Sequence, residues 1–220
     1  MPIPTKKTKE KPKTAKERVY SEVRDWIIDG TLQPEEKISD QEISQYFSVS
    51  RTPVREAIQM LSDQHLVNIY PGKETLVAPI NRKEAMSNYK IIADLHALAV
   101  EFAYPKITDD TIEELKKINA SCIVSNNAND IAASEHFDDE FHQVFVNLAD
   151  NHFLSEFIHI LRSHIQRVKN IDYKENGEAT FKSHDNIIIA LENKDLEGAK
   201  DAMRANWLHA VDRMKNLKVE

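Results

Sequence analysis

Glycine and proline are nearly missing from the larger part of this chain: residues 82–217 contain two glycines, Gly177 and Gly198, and one proline, Pro105. These two residue types are the main interrupters of helices, so a stretch this long without them can run as consecutive helical segments. Its apolar residues recur at 3.6-residue spacing near 83–104, 108–124, 130–149, 151–170, 178–193 and 195–216, which predicts an all-α antiparallel bundle. Boundary residues agree: Thr108 precedes a run ending in Lys116-Lys117, and Asn193-Lys194-Asp195 separates the last two segments. The four glycines of the 220 residues form no phosphate-cradling loop, which argues against a nucleotide-binding α/β enzyme. No apolar run approaches the ~18 residues of a membrane helix. Cys122 is the sole cysteine, so neither an internal disulfide nor a Cys-x-x-Cys site can form, and a reducing cytoplasm is the expected setting.

The net charge of -7 hides a division. Residues 1–80 carry 12 basic and 12 acidic residues, whereas residues 81–220 carry 17 and 24, so two halves of different character follow one another. Within residues 1–16, six lysines face one acid, Glu10, with three prolines and two bulky aliphatic residues. A disordered basic tail over residues 1–13 is expected. It reads as a solvated extension or as an arm with non-specific phosphate affinity. It lacks the apolar core of a secretory signal.

From Thr14 the pattern turns helical, with Val19, Val23, Trp26 and Ile27 on one stripe and a stop at Gly30. Ser39-Asp40-Gln41-Glu42 is a capping-box arrangement for a short second helix that turns Ile43 and Phe47 inward. Ser48-Val49-Ser50 predicts a tight turn, and Ser50 caps a third helix beginning near Arg51, where Pro53 falls in the tolerant first turn. The third helix has the stripe Val54, Ala57, Ile58 and Leu61, which leaves Arg51, Thr52, Arg55 and Gln59 facing solvent. Residues 66–78 then read as a β-hairpin around Pro71-Gly72. Helix, short helix, turn, arginine-bearing helix and hairpin make a winged helix-turn-helix. A helix fits a B-DNA major groove, and the arginine fork matches guanine O6 and N7. The hairpin can approach the minor groove or backbone, with Gly72 allowing close contact and Lys73 meeting phosphate.

The string from Val49 to Ile58, followed by Leu61 and Leu66-Val67, closely resembles the DNA-reading signature of the GntR superfamily of bacterial transcription regulators. That resemblance covers roughly Thr14 to Val77. It implies base or adjacent phosphate contacts for Arg51 and Arg55, phosphate contacts for Ser50 and Thr52, and a wing share for Gly72 and Lys73. Gln41 stands where one branch of the family has a DNA-touching arginine, and His65 replaces the usual glycine before the wing.

In the helical half, polar residues lie on apolar stripes. Asp138 and His142, at i and i+4, flank the side defined by Phe137, Phe141, Phe145 and Leu148. His184 precedes Ile187, Ile188 and Leu191 at helical spacing, and Asn206 lies between Met203 and Trp207. Such a set is either mutually hydrogen-bonded within the core or built around something bound, because a buried carboxylate without partners costs several kcal/mol. One carboxylate and two imidazoles suit a divalent Zn, Ni or Fe ion. His96, His136, His152, His159, His164 and His209 read as ordinary histidines.

This half resembles the helical ligand-binding (FCD) domain of the FadR-type branch, whose metal-containing members show Asp-x-x-x-His and two later histidines. Asp138, His142 and His184 match that pattern, whereas Asn206 stands in place of the last histidine. The likeness implies one divalent metal (Zn, Ni, Fe or Mn) and a small effector, commonly a carboxylate, with Asn206, Lys90, Arg162 and Arg167 as candidate effector contacts. The resulting reading is mostly α. A DNA-binding domain over 14–78 precedes an effector-binding domain over 82–217, in a homodimeric repressor of a pseudo-palindromic operator on double-stranded DNA. Two other readings stay open here: a metal-dependent helical enzyme using Asp138, His142 and His184, and a DNA-binding protein whose interior site is purely structural.

Overall fold

The computed structural model describes residues 13–176 and 184–216, so the basic tail lies outside the described residues save Lys13. The chain divides into two compact units, Met1–Ile80 and Asn81–Glu220.

In the first unit, α1 (Ala15–Asp29) is closed at both ends by its sequence: Thr14 and Glu17 form a capping box, and Gly30 takes the left-handed conformation with φ 75°. α2 (Asp40–Phe47) is capped by Ser39, whose hydroxyl accepts from the Glu42 N–H. α3 (Arg51–Asp63) follows after a turn in which Ser48 has φ 53°. The expected hairpin is present as antiparallel β1 (Val67–Ile69) and β2 (Thr75–Val77), in register Val67↔Val77 and Ile69↔Thr75. A third ribbon was not legible in the sequence. Lys37 bridges Leu76, and Ile38 N–H donates to the Thr75 carbonyl at 2.8 Å. The ribbon is too short to show alternation.

The core of this unit is Val19, Val23, Ile27, Ile43, Val54, Ala57, Ile58, Leu61, Leu66, Val67 and Val77, together with Ile38 from the ribbon. Burying each large aliphatic side chain contributes about 1.5–3 kcal/mol. Truncating the fully buried Leu61 to alanine would cost about 2–5 kcal/mol and loosen α3 from α1.

The second unit is helical throughout its described residues: α4 (Arg82–Ala103), a 3₁₀ turn at Tyr104–Lys106, α5 (Asp109–Asn127), α6 (Ile131–Ala149), α7 (His152–Asn176), α8 (Asp185–Glu192) and α9 (Leu196–Asn216). α4 packs against α6, α7 and α9, which explains why its buried residues, Tyr89, Ile92, Ala93, His96, Ala97, Ala99, Val100 and Ala103, form one broad face of about 160° at ~100° per residue. The many alanines let its neighbours approach closely. α5 packs on α6 and α8. Of the segment expected over 178–193, residues 178–183 lie outside the described residues, and α8 runs from Asp185 with His184 as its N-cap residue. Among the described residues, no helix is long and apolar enough to cross a membrane.

Candidate functional site

The exposed face of the first unit is built by α2 and α3. Burial of Val54, Ala57, Ile58 and Leu61 leaves Arg51, Thr52 and Arg55 exposed on the opposite side. The N-cap Ser50 makes no side-chain capping bond, so its hydroxyl and the first-turn N–H groups of α3 can meet an anion at the positive end of the helix. Gln41 is exposed on α2.

Asp40 joins the two arginines: its Oδ1 accepts from Arg51 at 2.6 Å and its Oδ2 from the Arg55 Nε at 2.7 Å. These bonds hold the Asp40 carboxyl below the usual carboxylate range. Both guanidinium-bearing side chains remain more than half exposed, at 52% and 66%. Beside them, a groove of about 560 Å³ runs between the helices and the wing, lined by Asp40, Arg55, Gln59, Tyr70, Gly72 and Lys73 among others. Gly72, at φ 71°, has nothing within 4 Å of where a Cβ would stand. The wing tip is therefore open, and Lys73 is exposed on it.

The second unit gathers Asp138, His142 and His184, with one ligating atom of each within 4.8 Å of the others. Asp138 Oδ1 lies 3.2 Å from His184 Nε2 and 3.9 Å from His142 Nε2. His142 and His184 are buried, and Asp138 keeps 21% of its side chain exposed. Asn119 on α5 fixes the His184 ring. Its Nδ2 donates to Asp185 at 2.7 Å, which turns its Oδ1 toward His184, where it accepts from the backbone N–H and stands 3.2 Å from Nδ1. Nδ1 therefore carries the proton in the neutral ring, and the Nε2 lone pair faces the carboxylate. His184 Nε2 has no hydrogen-bond partner. Two facing lone pairs need a cation or proton between them. The 3.2 and 3.9 Å spacings bracket the ~3.4 Å between neighbouring ligands around an ion with ~2.0–2.2 Å bonds. This donor set fits a divalent first-row ion.

Charge in the interior follows burial and neighbours. Burial drives His142 well below its ordinary range, against the pull of Asp138. Burial would raise Asp138, but His184, Lys169 and His142 more than offset it and hold the carboxyl below its usual range. Lys169 of α7, which burial alone would push down, is raised by Asp138 and its acidic neighbours. The sequence reading did not include Lys169 or Asn119. Both lie on stripes whose polar members resemble any exposed residue until partners are known.

The largest departure from expectation is His96, read as ordinary. It is fully buried, stacked on Trp207 with ring centroids 4.8 Å apart, and 5.0 Å from the His142 ring. Burial, reinforced by Arg162, pushes it down to about 3. Its position at i+4, i+3 and i-4 from Ile92, Ala93 and Val100 carried the signal that was applied to His184.

The candidate effector residues separate. Arg167 is buried, which pushes its guanidinium down to about 10. Arg162 pairs with Asp139 and lines a shallow pocket of about 340 Å³ with His152, Glu156 and His159. Lys90 is exposed, a correction to its placement as an interior contact, because Tyr89 and Ile92 take the inward direction. Asn206 is half-buried between buried Met203 and Trp207 and is not one of the grouped donors.

Known proteins bear on this architecture. The profile of the bacterial regulatory proteins of the gntR family matches residues 15–77, and that of the FCD domain matches residues 88–208. The chain is 24% identical over 204 residues to the HTH-type transcriptional regulator YdhC of Bacillus subtilis, covering 91% of each protein. It is 23% identical to the transcriptional repressor RspR of Escherichia coli, covering 93% of this chain and 90% of that protein. Among solved structures, E. coli McbR/YncC superposes with a TM-score of 0.77 at 18% identity, over 93% of this chain and 99% of that one. A GntR regulator from Rhodococcus sp. RHA1 gives 0.70 at 21% identity, covering 93% and 99%. These relatives are regulators and not enzymes, which removes the reading of the three donors as a catalytic metal centre. The chain is a transcriptional regulator of the gntR family that carries an FCD domain.

Proposed function

We propose that this regulator is a metabolite-responsive repressor that binds a pseudo-palindromic operator as a homodimer, through residues 14–78 of each copy. The observation that carries the DNA half is the pair of exposed guanidinium groups on α3, held side by side by Asp40. Arg51 and Arg55 meet base edges or adjacent phosphates, Ser50 and Thr52 meet phosphate at the uncapped start of α3, and Gly72 with Lys73 brings the wing to the backbone. Gln41, exposed on α2, adds a further polar contact to the DNA. Relatives named as repressors, RspR and the gluconate operon repressor of Bacillus subtilis, support the sign of regulation.

Residues 82–217 act as the sensor. Asp138, His142 and His184 hold a divalent metal, which when bound supplies a fixed positive charge for a small carboxylate effector. Arg162 and Arg167 supply further cationic groups to that effector. Asn119 keeps the His184 ring turned with its free nitrogen inward. An effector that binds one arrangement of the helices better than another changes operator affinity; ~1–3 kcal/mol of coupling corresponds to about 5–150-fold. Half-site spacing must match the separation of the two reading heads.

The test is an operator selected from random duplexes with the purified protein, followed by titration in fluorescence anisotropy. A palindromic consensus and a complex of two chains per duplex are expected. A thermal-shift screen of divalent ions and small carboxylates should give a stabilising pair that also lowers operator affinity. Unchanged operator binding by Arg51→Ala with Arg55→Ala would overturn the DNA assignment.

A further inference from the structure

Five polar atoms on four adjoining rings of the second unit are buried without hydrogen-bond partners: His96 Nδ1 and Nε2, His142 Nδ1, His184 Nε2 and Trp207 Nε1. Buried polar groups are almost always satisfied, so such a convergence marks a place where something is bound. His96 is the member with nothing polar to engage at either ring nitrogen. Its ring is nevertheless held in place by Trp207, stacked at 4.8 Å with 25° between planes.

Ring spacing indicates what it does there. An imidazole nitrogen at ~2.0–2.1 Å from a metal puts the ring centroid at about 3.2 Å, and two such rings at tetrahedral angles stand about 5.2 Å apart. His142 and His184, both grouped donors, have centroids 5.1 Å apart at 82°. His96 and His142 have centroids 5.0 Å apart at 65°. The nitrogens of His96 lie outside the 4.8 Å group. A half-turn about χ2 keeps both the centroid and the stack on Trp207 while exchanging the carbon and nitrogen edges of the ring. One carboxylate and two imidazoles leave a tetrahedral ion one ligand short.

We infer that His96 is a third imidazole ligand of the metal site, joining Asp138, His142 and His184. This rests on the metal reading proposed above. It assigns α4, the helix in contact with α6, α7 and α9, to the metal's ligand set, so that metal occupancy is felt directly by the central helix of the unit.

The test uses the full-length protein, stripped of metal and reloaded with one equivalent of Zn²⁺ alone. X-ray absorption at the zinc edge counts imidazoles without any variant: three are expected, and two would overturn the assignment of His96 while leaving the three-donor site standing. Failure of the wild-type protein to retain zinc would overturn both proposals. His96→Phe fills similar space and preserves the stack on Trp207; it should lower the count to two and weaken Zn²⁺ binding by at least about tenfold, the lower bound for residues that merely orient ligands. A His96→Phe variant with wild-type zinc affinity and an unchanged imidazole count would overturn the inference.

Discussion

Asp40 Oδ2 accepts from Arg55 Nε at 2.7 Å, although 15 positions separate the two residues in sequence. The other oxygen of the same carboxylate engages Arg51, so two flexible cations on α3 are oriented by one acid at the start of α2. A planar arginine fork discriminates bases only when its orientation is fixed. Replacing Asp40 with asparagine should free both arginines and raise the local positive charge. Affinity for random duplex should then rise, while the ratio of operator to random affinity falls by about 5–30-fold, or ~1–2 kcal/mol. Anisotropy titrations against both duplexes measure this, and an unchanged ratio would show that Asp40 has no part in orientation.

Wing and reading helix should fail in different ways. Arg51→Ala or Arg55→Ala should each cost ~1–3 kcal/mol on the operator and relax sequence preference. Lys73→Ala at the exposed wing tip should weaken all sequences alike and reduce the slope of log affinity against log salt by about 1. A sequence-dependent loss at Lys73 would mean that the wing reads bases.

The fold was largely legible because helix signals are local. Helical patterning from Thr14 begins where α1 does, Ser39 before Glu42 sits at a cap found in the structure, and the stripe Val54, Ala57, Ile58 and Leu61 is buried as its spacing requires. Asp138 and His142 were legible as a pair one helical turn apart, and His184 by its spacing to Ile187. What escaped notice depended on partners distant in sequence. The ribbon at Lys37 exists only through Leu76, Asn119 matters only because it meets His184 65 residues later, and Asp40 matters only because it meets Arg51 and Arg55 on the next helix. His96 differs: its spacing to Ile92, Ala93 and Val100 places it near the centre of the buried face of α4, so that signal is local and readable. Lys90 lies just outside the edge of that face, beyond Ala97, and is exposed.

His65 illustrates a cost the chain carries at the join of α3 and β1. Leu66 N–H donates to the Leu61 carbonyl and His65 N–H to the Ser62 carbonyl, both at 2.9 Å, which is the Schellman closure of a helix. The closure demands a left-handed residue, and His65 adopts φ 58°. Glycine takes this conformation without a Cβ penalty, although it adds freedom to the unfolded chain. His65→Gly should therefore stabilise the first unit modestly, by about 0.5–1 kcal/mol. Because the side chain is exposed, little packing is lost. Chemical denaturation of the isolated substitution checks it, and a loss of stability would mean that the imidazole makes a contribution the backbone argument omits.

Acid should destabilise the metal-free sensor unit well before its carboxylates titrate. Burial, with help from the Arg162 charge and against Asp138, pushes folded His96 down to about 3, whereas the unfolded imidazole titrates near ~6.5. Between these values the unfolded state binds one proton more than the folded state, so stability rises with pH across that window and is level above it. The slope is about 1.4 kcal/mol per pH unit for one such histidine. His142, also driven well below its ordinary range by burial, adds to the slope in the same direction. In a Trp26→Phe background, Trp207 fluorescence reports the sensor unit alone, and its urea midpoint should fall steadily from about pH 6.5 downward. His96→Phe should flatten that dependence by one proton, about 1.4 kcal/mol per pH unit. A midpoint independent of pH over this range would mean that His96 is protonated as readily inside the fold as outside it.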